Sequence, residues 1–107
     1  MKISAFDDIT GDGAKHQLIT LLKVGGVAVS QTNWRVKWWQ IVMLTSSGTT
    51  RVGDSNVSGA PTNGIPIGTP NNGQFAPVDS AFTELYDLSD VWVIIKSGDV
   101  ASVARAV

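Results

Sequence analysis

The side chains that could do acid–base chemistry in this chain are few. His16 is the only histidine, and a Ser-His-Asp triad would need the fold to bring a serine and an aspartate to it. No Gly-x-Ser-x-Gly elbow marks a nucleophile. We therefore predict that His16 is a surface or turn residue and that the protein has no catalytic residues.

Two groups of aspartates could bind a metal ion or act as a carboxylate pair. Asp7, Asp8 and Asp12 lie close together, but they lack the alternating spacing and the closing glutamate of a calcium loop. Asp87 and Asp90 could flank a glycosidic bond, yet capping of a turn before a strand explains both. We predict turn capping for these aspartates, no metal site and no cofactor.

The four tryptophans are the strongest candidates for binding. Trp34, Trp38 and Trp39 lie in one stretch, and Trp92 lies in another. Exposed indole rings would suit a carbohydrate-binding module, whereas buried ones would belong to a core or a subunit interface. Consecutive strand residues point to opposite faces, so Trp38 and Trp39 cannot share one core. One of them must meet a second layer, a neighbouring subunit or a ligand.

Short strands must position these residues. Residues 36–45 are rich in β-branched and aromatic side chains and are apolar on both faces, which predicts a central strand covered on both sides. The turn at 46–48 predicts a hairpin with residues 49–52. A second hairpin is expected across 97–99, between residues 91–96 and 100–107.

The remaining elements are also short. Residues 53–74 are so dense in glycine and proline that a central strand is excluded there, and only an edge strand is expected. The further predicted elements are strands at His16–Leu22, Val27–Ser30, Ile65–Ile67 and Phe75–Val78, and one helical turn at Ala81–Leu85.

This spacing of turn signals predicts an all-β fold. We expect a small antiparallel β-sandwich or jelly-roll-like barrel of about seven to eight short strands. Residues 1–107 would form a single domain, with 1–14 as an extended N-terminal arm.

The composition excludes several function classes. The chain has 107 residues, a net charge of −1, 16% charged residues and no cysteine. Nucleic-acid binding would need a basic stripe, a membrane-surface role would need a polybasic segment, and disulfides would need cysteines. We expect no nucleic-acid partner, no membrane and synthesis in a cytoplasm. The low charge fits either a surface hidden in an assembly or one built from Ser, Thr, Asn and Gly.

Several segments share a pattern of turns and apolar positions that resembles a known family. They are Val36–Trp38, Thr50–Ser58, Asn63–Ile67, Asp87–Ile94 and Ser97–Val103. Together they resemble the small β-sandwich proteins of tailed-bacteriophage virions, namely capsid decoration (cement) proteins and related head or fibre modules. The resemblance extends from about residue 36 to residue 103.

The resemblance implies a non-enzymatic virion structural protein. Such a protein would be made in the host cytoplasm, would decorate the capsid surface, commonly as a homotrimer, and would cement neighbouring major capsid subunits. Gly53, Gly64 and Gly98 would be structural turn residues. The alternative function is a carbohydrate-binding module or a receptor-binding fibre or tail accessory protein that uses Trp34, Trp39 or Trp92. We predict as contact residues Met1, Ile3, Phe6, Trp34 and Trp39.

Overall fold

The computed structural model describes residues 3–69, 73–76 and 86–106. In them, short antiparallel strands alternate with turns, and two 3-10 turns lie at Leu18–Thr20 and Leu88–Asp90. The predicted all-β class is confirmed. The strands are, in chain order, β1 Ile3–Ala5, β2 Ile9–Thr10, β3 Lys15–Gln17, β4 Lys23–Val24, β5 Val27–Ala28, β6 Arg35–Val36, β7 Trp38–Thr45, β8 Thr49–Gly53, β9 Ser58–Gly59, β10 Thr62–Asn63, β11 Ile65–Gly68, β12 Gln74–Phe75, β13 Tyr86–Asp87, β14 Trp92–Ile94 and β15 Val100–Ala106.

The first sheet has the order β1-β15-β7-β12, and β2 also pairs with β15. Its centre is the long ladder between β15 and β7, in which Ala106 lies opposite Trp38 and Val103 opposite Ile41. The prediction that residues 36–45 hold a central strand is confirmed for β7. The predicted cover on both sides is wrong, because Val42 and Leu44 on the outer side of β7 are partly or largely exposed. The described part of the predicted N-terminal arm is an edge of this sheet, because β1 and β2 both run along β15.

The second sheet has the order β11-β8-β14-β3. Among the described strands β11 is at its edge, as predicted, with Pro66 opposite Arg51. Proline has no N–H to donate to a ladder, so an edge position suits it. Small two-stranded ladders flank the two sheets and pair β4 with β5, β6 with β13 and β9 with β10.

The core lies between the two sheets. Trp39, Ile41 and Val103 enter it from the first sheet, and Val52 and Val93 enter it from the second. The two 3-10 turns add Leu18 and Leu88, which are completely buried. Because alternate residues of a strand point to opposite faces, each sheet contributes one face to this core, as in a β-sandwich.

The two predicted hairpins are wrong. β7 and β8 lie in different sheets, and so do β14 and β15. The short segments 46–48 and 97–99 therefore cross from one sheet to the other. The sequence pattern does not distinguish these cases, because a tight turn between two apolar strands looks the same whether the strands pair or cross between sheets.

Other predicted boundaries also change. The strand predicted at 16–22 ends at Gln17, where a 3-10 turn begins. Leu18 and Leu22 are both fully buried, whereas Thr20 between them is exposed. A strand would place all three residues on one face, so this pattern suits a helical turn better. The strand predicted at 27–30 is shorter in the structure, where β5 covers only Val27–Ala28. The strand predicted at 75–78 begins one residue earlier, as β12 Gln74–Phe75. Val78 and the helical turn predicted at 81–85 lie outside the described residues.

Candidate functional site

Asp12 and His16 form the one ion pair found among the described residues. His16 Nε2 lies 2.8 Å from Asp12 Oδ2. The backbone N–H of Ala14 donates to the same carboxylate at 2.9 Å, and this bond, more than His16, lowers the pKa of Asp12. The adjoining cavity measures about 30 Å³ and is lined partly by Ile9 and Val93. A water molecule fits there but a substrate does not.

Asp87 also braces a turn. Asp87 accepts hydrogen bonds from Ser89 Oγ at 2.6 Å and from its backbone N–H at 2.9 Å, and the hydroxyl bond is the main reason that the pKa of Asp87 is lowered. This confirms the predicted capping by Asp87. Within the described residues, no three His, Cys, Asp or Glu side chains come together to hold a metal ion.

The predicted contact tryptophans lie in the core. Trp34 is 7% exposed and Trp39 is 4% exposed, and the Trp39 ring packs 5.3 Å from the ring of Phe75. Trp38 points to the opposite face and is partly exposed, which confirms that the two neighbours lie on different sides of β7. In this structure Trp34 and Trp39 are core residues, so neither ring lies on the surface where the predicted contact would form.

The N-terminal contact residues also differ in their burial. Ile3 is 67% exposed, whereas Phe6 is buried in the core. Met1 lies outside the described residues. Of the predicted contact set, Ile3 is therefore the described side chain that is free to meet a partner without a change in the fold.

Arg105 closes one end of the core. Its guanidinium carbon lies 5.1 Å from the centre of the Phe6 ring and 5.5 Å from that of Trp34. Nη1 donates to Gln31 Oε1, and burial lowers the pKa of Arg105. The cation therefore occupies a face of Trp34 that a sugar ring would need. Similarly, Lys15 Nζ lies 5.6 Å from the ring of Trp92.

The three glycines predicted at turns have different roles. Gly64 has φ +113° and Gly98 has φ +87°, conformations that favour glycine. Gly53 is instead the last residue of β8 and pairs with Trp92. A Cβ at Gly53 would meet its neighbours at ordinary contact distance, so the turn role that we predicted for Gly53 is corrected to a strand position.

The hairpin formed by β4 and β5 ends in an apolar projection. We call residues 24–27 the β4–β5 tip. Val24 is 57% exposed and Val27 is 70% exposed, and the two glycines between them both have positive φ. The Asp7 carboxylate accepts hydrogen bonds from the N–H groups of Gly25 and Gly26 at 3.0 and 2.7 Å. Two valines are thus held in water by a braced turn, a role for Asp7 that its sequence position did not reveal.

The outer face of the first sheet is a surface without ionisable residues among the described strands. Its residues alternate along each strand with those that enter the core. Most are partly or fully exposed, and Ala106, although buried, does not belong to the core cluster. The sequence signal for this surface was the apolar character of both faces of residues 36–45. The outer face consists of Ile3, Ala5, Trp38, Gln40, Val42, Leu44, Gln74, Ser102, Ala104 and Ala106.

Protein families, curated proteins and solved structures yield no match to this chain. In the described part of the chain, no helix has the length and apolar character needed to cross a bilayer.

Proposed function

We propose that this protein is a non-enzymatic virion structural protein that decorates the capsid of a tailed bacteriophage and cements neighbouring major capsid subunits. The resemblance of residues 36–103 to decoration proteins supports this proposal. So does the use of carboxylates such as Asp12 and Asp87 in bracing turns. The observation that carries the proposal is the braced β4–β5 tip.

The tip has the properties of an anchor for a protein surface. Val24 and Val27 expose apolar side chains, whose transfer from water contributes about 25 cal/mol per Å² buried. Because Asp7 holds the turn, little conformational freedom remains to be lost on binding. The free energy of binding that one tip contributes is small. Many copies bind one shell, however, and their contacts together stabilise the shell.

The test uses capsid shells assembled from the major capsid protein of the virus that encodes this chain. Wild-type protein is expected to co-sediment with the shells and to raise the temperature at which they break apart. Val27→Lys places a charge on the tip and should weaken both effects. The matched control is Ile65→Lys, at a residue 47% exposed on the edge strand β11, which should bind like wild type.

Two results would overturn the proposal. One is wild-type protein that leaves shells unbound and no more stable. The other is Val27→Lys protein that binds as tightly as the Ile65→Lys control, since the tip would then contribute nothing.

The structure favours this function over glycan binding. Trp34 and Trp39 are buried, and cations lie over the rings of Trp34 and Trp92. A stacking platform needs an open ring face, which these three side chains offer poorly. Retention on a glycan column that is lost in a Trp92→Ala variant would reverse this preference.

A further inference from the structure

We infer that the outer face of the first sheet is the contact surface for a second copy of this chain. The face uses residues other than the β4–β5 tip, so the inference goes beyond capsid binding and does not depend on it. It names the partner and the geometry of contact, namely two identical sheets packed face to face about a two-fold axis.

Charge is the first argument. None of the ten residues of the outer face is ionisable. Burying a charge against such a face without a partner is costly, so a fitting partner must be uncharged over the same area. The same face of another copy meets this requirement, and self-association brings it into place with its own symmetry.

The relief of the face is the second argument. Along β7 the outward residues Gln40 and Val42 are larger than the β15 residues opposite them, Ala104 and Ser102, which are partly exposed. A ridge therefore runs beside a groove. A two-fold axis can place the ridge of one copy over the groove of the other, so that side chains interdigitate as they do between the packed sheets of a sandwich.

Hydrogen-bonding capacity fits the same arrangement. Gln40 Nε2 lies 3.4 Å from Gln74 Oε1, so two amides on the face already lie near each other. When a second copy covers them, Gln40 Nε2 and Gln74 Oε1 keep this bond within their own chain, whereas Gln40 Oε1 and Gln74 Nε2 find partners on the second copy. This limits the desolvation penalty of burying the face.

The area is sufficient for a specific dimer of modest affinity. Six residue steps from Trp38 to Leu44 span about 20 Å, and four strands span roughly 19 Å. Two such faces in contact remove on the order of 1,000 Å² of accessible surface, the lower limit of specific interfaces. A contact that consumes the whole face closes as a dimer, which differs from the trimer that the phage resemblance implies.

The decisive measurement is the mass of the wild-type protein in solution by sedimentation equilibrium, up to concentrations on the order of 1 mM. We expect a concentration-dependent approach to twice the chain mass of 11.3 kDa. Val42→Lys, at the centre of the face, should weaken the dimer by at least about 100-fold because it buries a charge without a partner. Gln40→Lys replaces a polar, partly exposed side chain and should do the same without disturbing the fold.

The control is Val27→Lys, which adds the same charge to the β4–β5 tip and should leave the dimer unchanged. Circular dichroism shows whether each variant keeps the wild-type fold. A wild-type chain that stays monomeric at every concentration, a trimeric mass, or folded Gln40→Lys protein that dimerises like wild type would each overturn the inference. None of these results bears on shell binding by the tip, so the two proposals fail separately.

Discussion

Asp99 holds Ser47 through three hydrogen bonds. The Ser47 N–H donates to both carboxylate oxygens at 3.0 Å, and Ser47 Oγ donates to Asp99 Oδ1 at 2.8 Å. The two residues lie on the two segments that cross between the sheets, and Asp99 itself is buried. Lys96 Nζ also donates to the Ser47 carbonyl oxygen at 3.2 Å. One carboxylate therefore joins both crossings and fixes one end of the sandwich.

Replacing Asp99 with asparagine should destabilise the fold. An amide keeps the shape but presents an NH₂ group where a carboxylate oxygen accepts a hydrogen bond, and it removes the negative charge that strengthens these bonds. We expect the midpoint of urea unfolding to fall clearly in Asp99→Asn. The exposed Asp90 provides the matched control, and Asp90→Asn should change the midpoint little. Equal midpoints for the two variants would contradict the role of Asp99.

Acid should weaken the wild-type protein through the same contact. The Ser47 hydroxyl is the main reason that the pKa of Asp99 lies below its ordinary value of 3.8. A carboxyl whose pKa is lowered by folding contributes stability above its unfolded pKa, and this stability is lost as the pH falls through the folded pKa. Unfolding free energy measured from pH 7 downward should therefore be insensitive to Asp99 until below about pH 4, and then decrease. Asp99→Asn should show a shallower decrease, and identical acid slopes would contradict the prediction.

Gly64 should tolerate no side chain. Its φ is +113°, and an added Cβ would lie 2.7 Å from Val57 Cγ2 and 3.1 Å from the Val52 carbonyl oxygen. Gly64→Ala should cost more than about 1 kcal/mol of unfolding free energy, from backbone strain and crowding together. Gly59 is the control, because a Cβ there meets nothing within 4 Å. If chemical denaturation showed that Gly59→Ala lowers the unfolding free energy as much as Gly64→Ala, the crowding and strain assigned to Gly64 would be contradicted.

Trp38 and Trp39 should respond differently to truncation. Trp39 fills the core against Phe75, so Trp39→Ala should lower the unfolding free energy by about 3–5 kcal/mol. Trp38 lies on the outer face, and Trp38→Ala should cost less than half as much when the monomer is measured at low concentration. Urea unfolding monitored by circular dichroism tests the pair. A larger loss in Trp38→Ala would reverse the assignment of the two faces of β7.

Removal of the Asp7 carboxylate should loosen the β4–β5 tip. In Asp7→Ala the N–H groups of Gly25 and Gly26 lose their acceptors, so their hydrogen exchange should accelerate by about tenfold or more, as the loss of about 1.4 kcal/mol implies. Asp8→Ala removes a neighbouring carboxylate that accepts neither bond and serves as the control. Unchanged exchange in Asp7→Ala would show that the turn is rigid without its brace.

The sequence predicted the local roles of several residues of the candidate site, but not the contacts between distant segments. The opposite orientations of Trp38 and Trp39 followed from the two-residue period of a strand, and the Asp87 cap followed from its position in a turn before a strand. The burial of Trp34 did not follow, because it depends on Phe6 and Arg105 at opposite ends of the chain. The brace from Asp7 to Gly25 and Gly26 was missed for the same reason, since no local pattern links those positions.

By itself, the sequence determined what is local: the strand character of residues 38–45, the edge position enforced by Pro66, the turns, and which side chains share a face. These depend on backbone preferences and on alternation along a strand. Tertiary structure alone decided which strands pair. The segments predicted to be hairpin turns therefore connect strands of different sheets. Many apolar strands can pair with similar local energies, and only the packing of all of them around one core selects the partners that bury Trp39 and leave Trp38 facing outward.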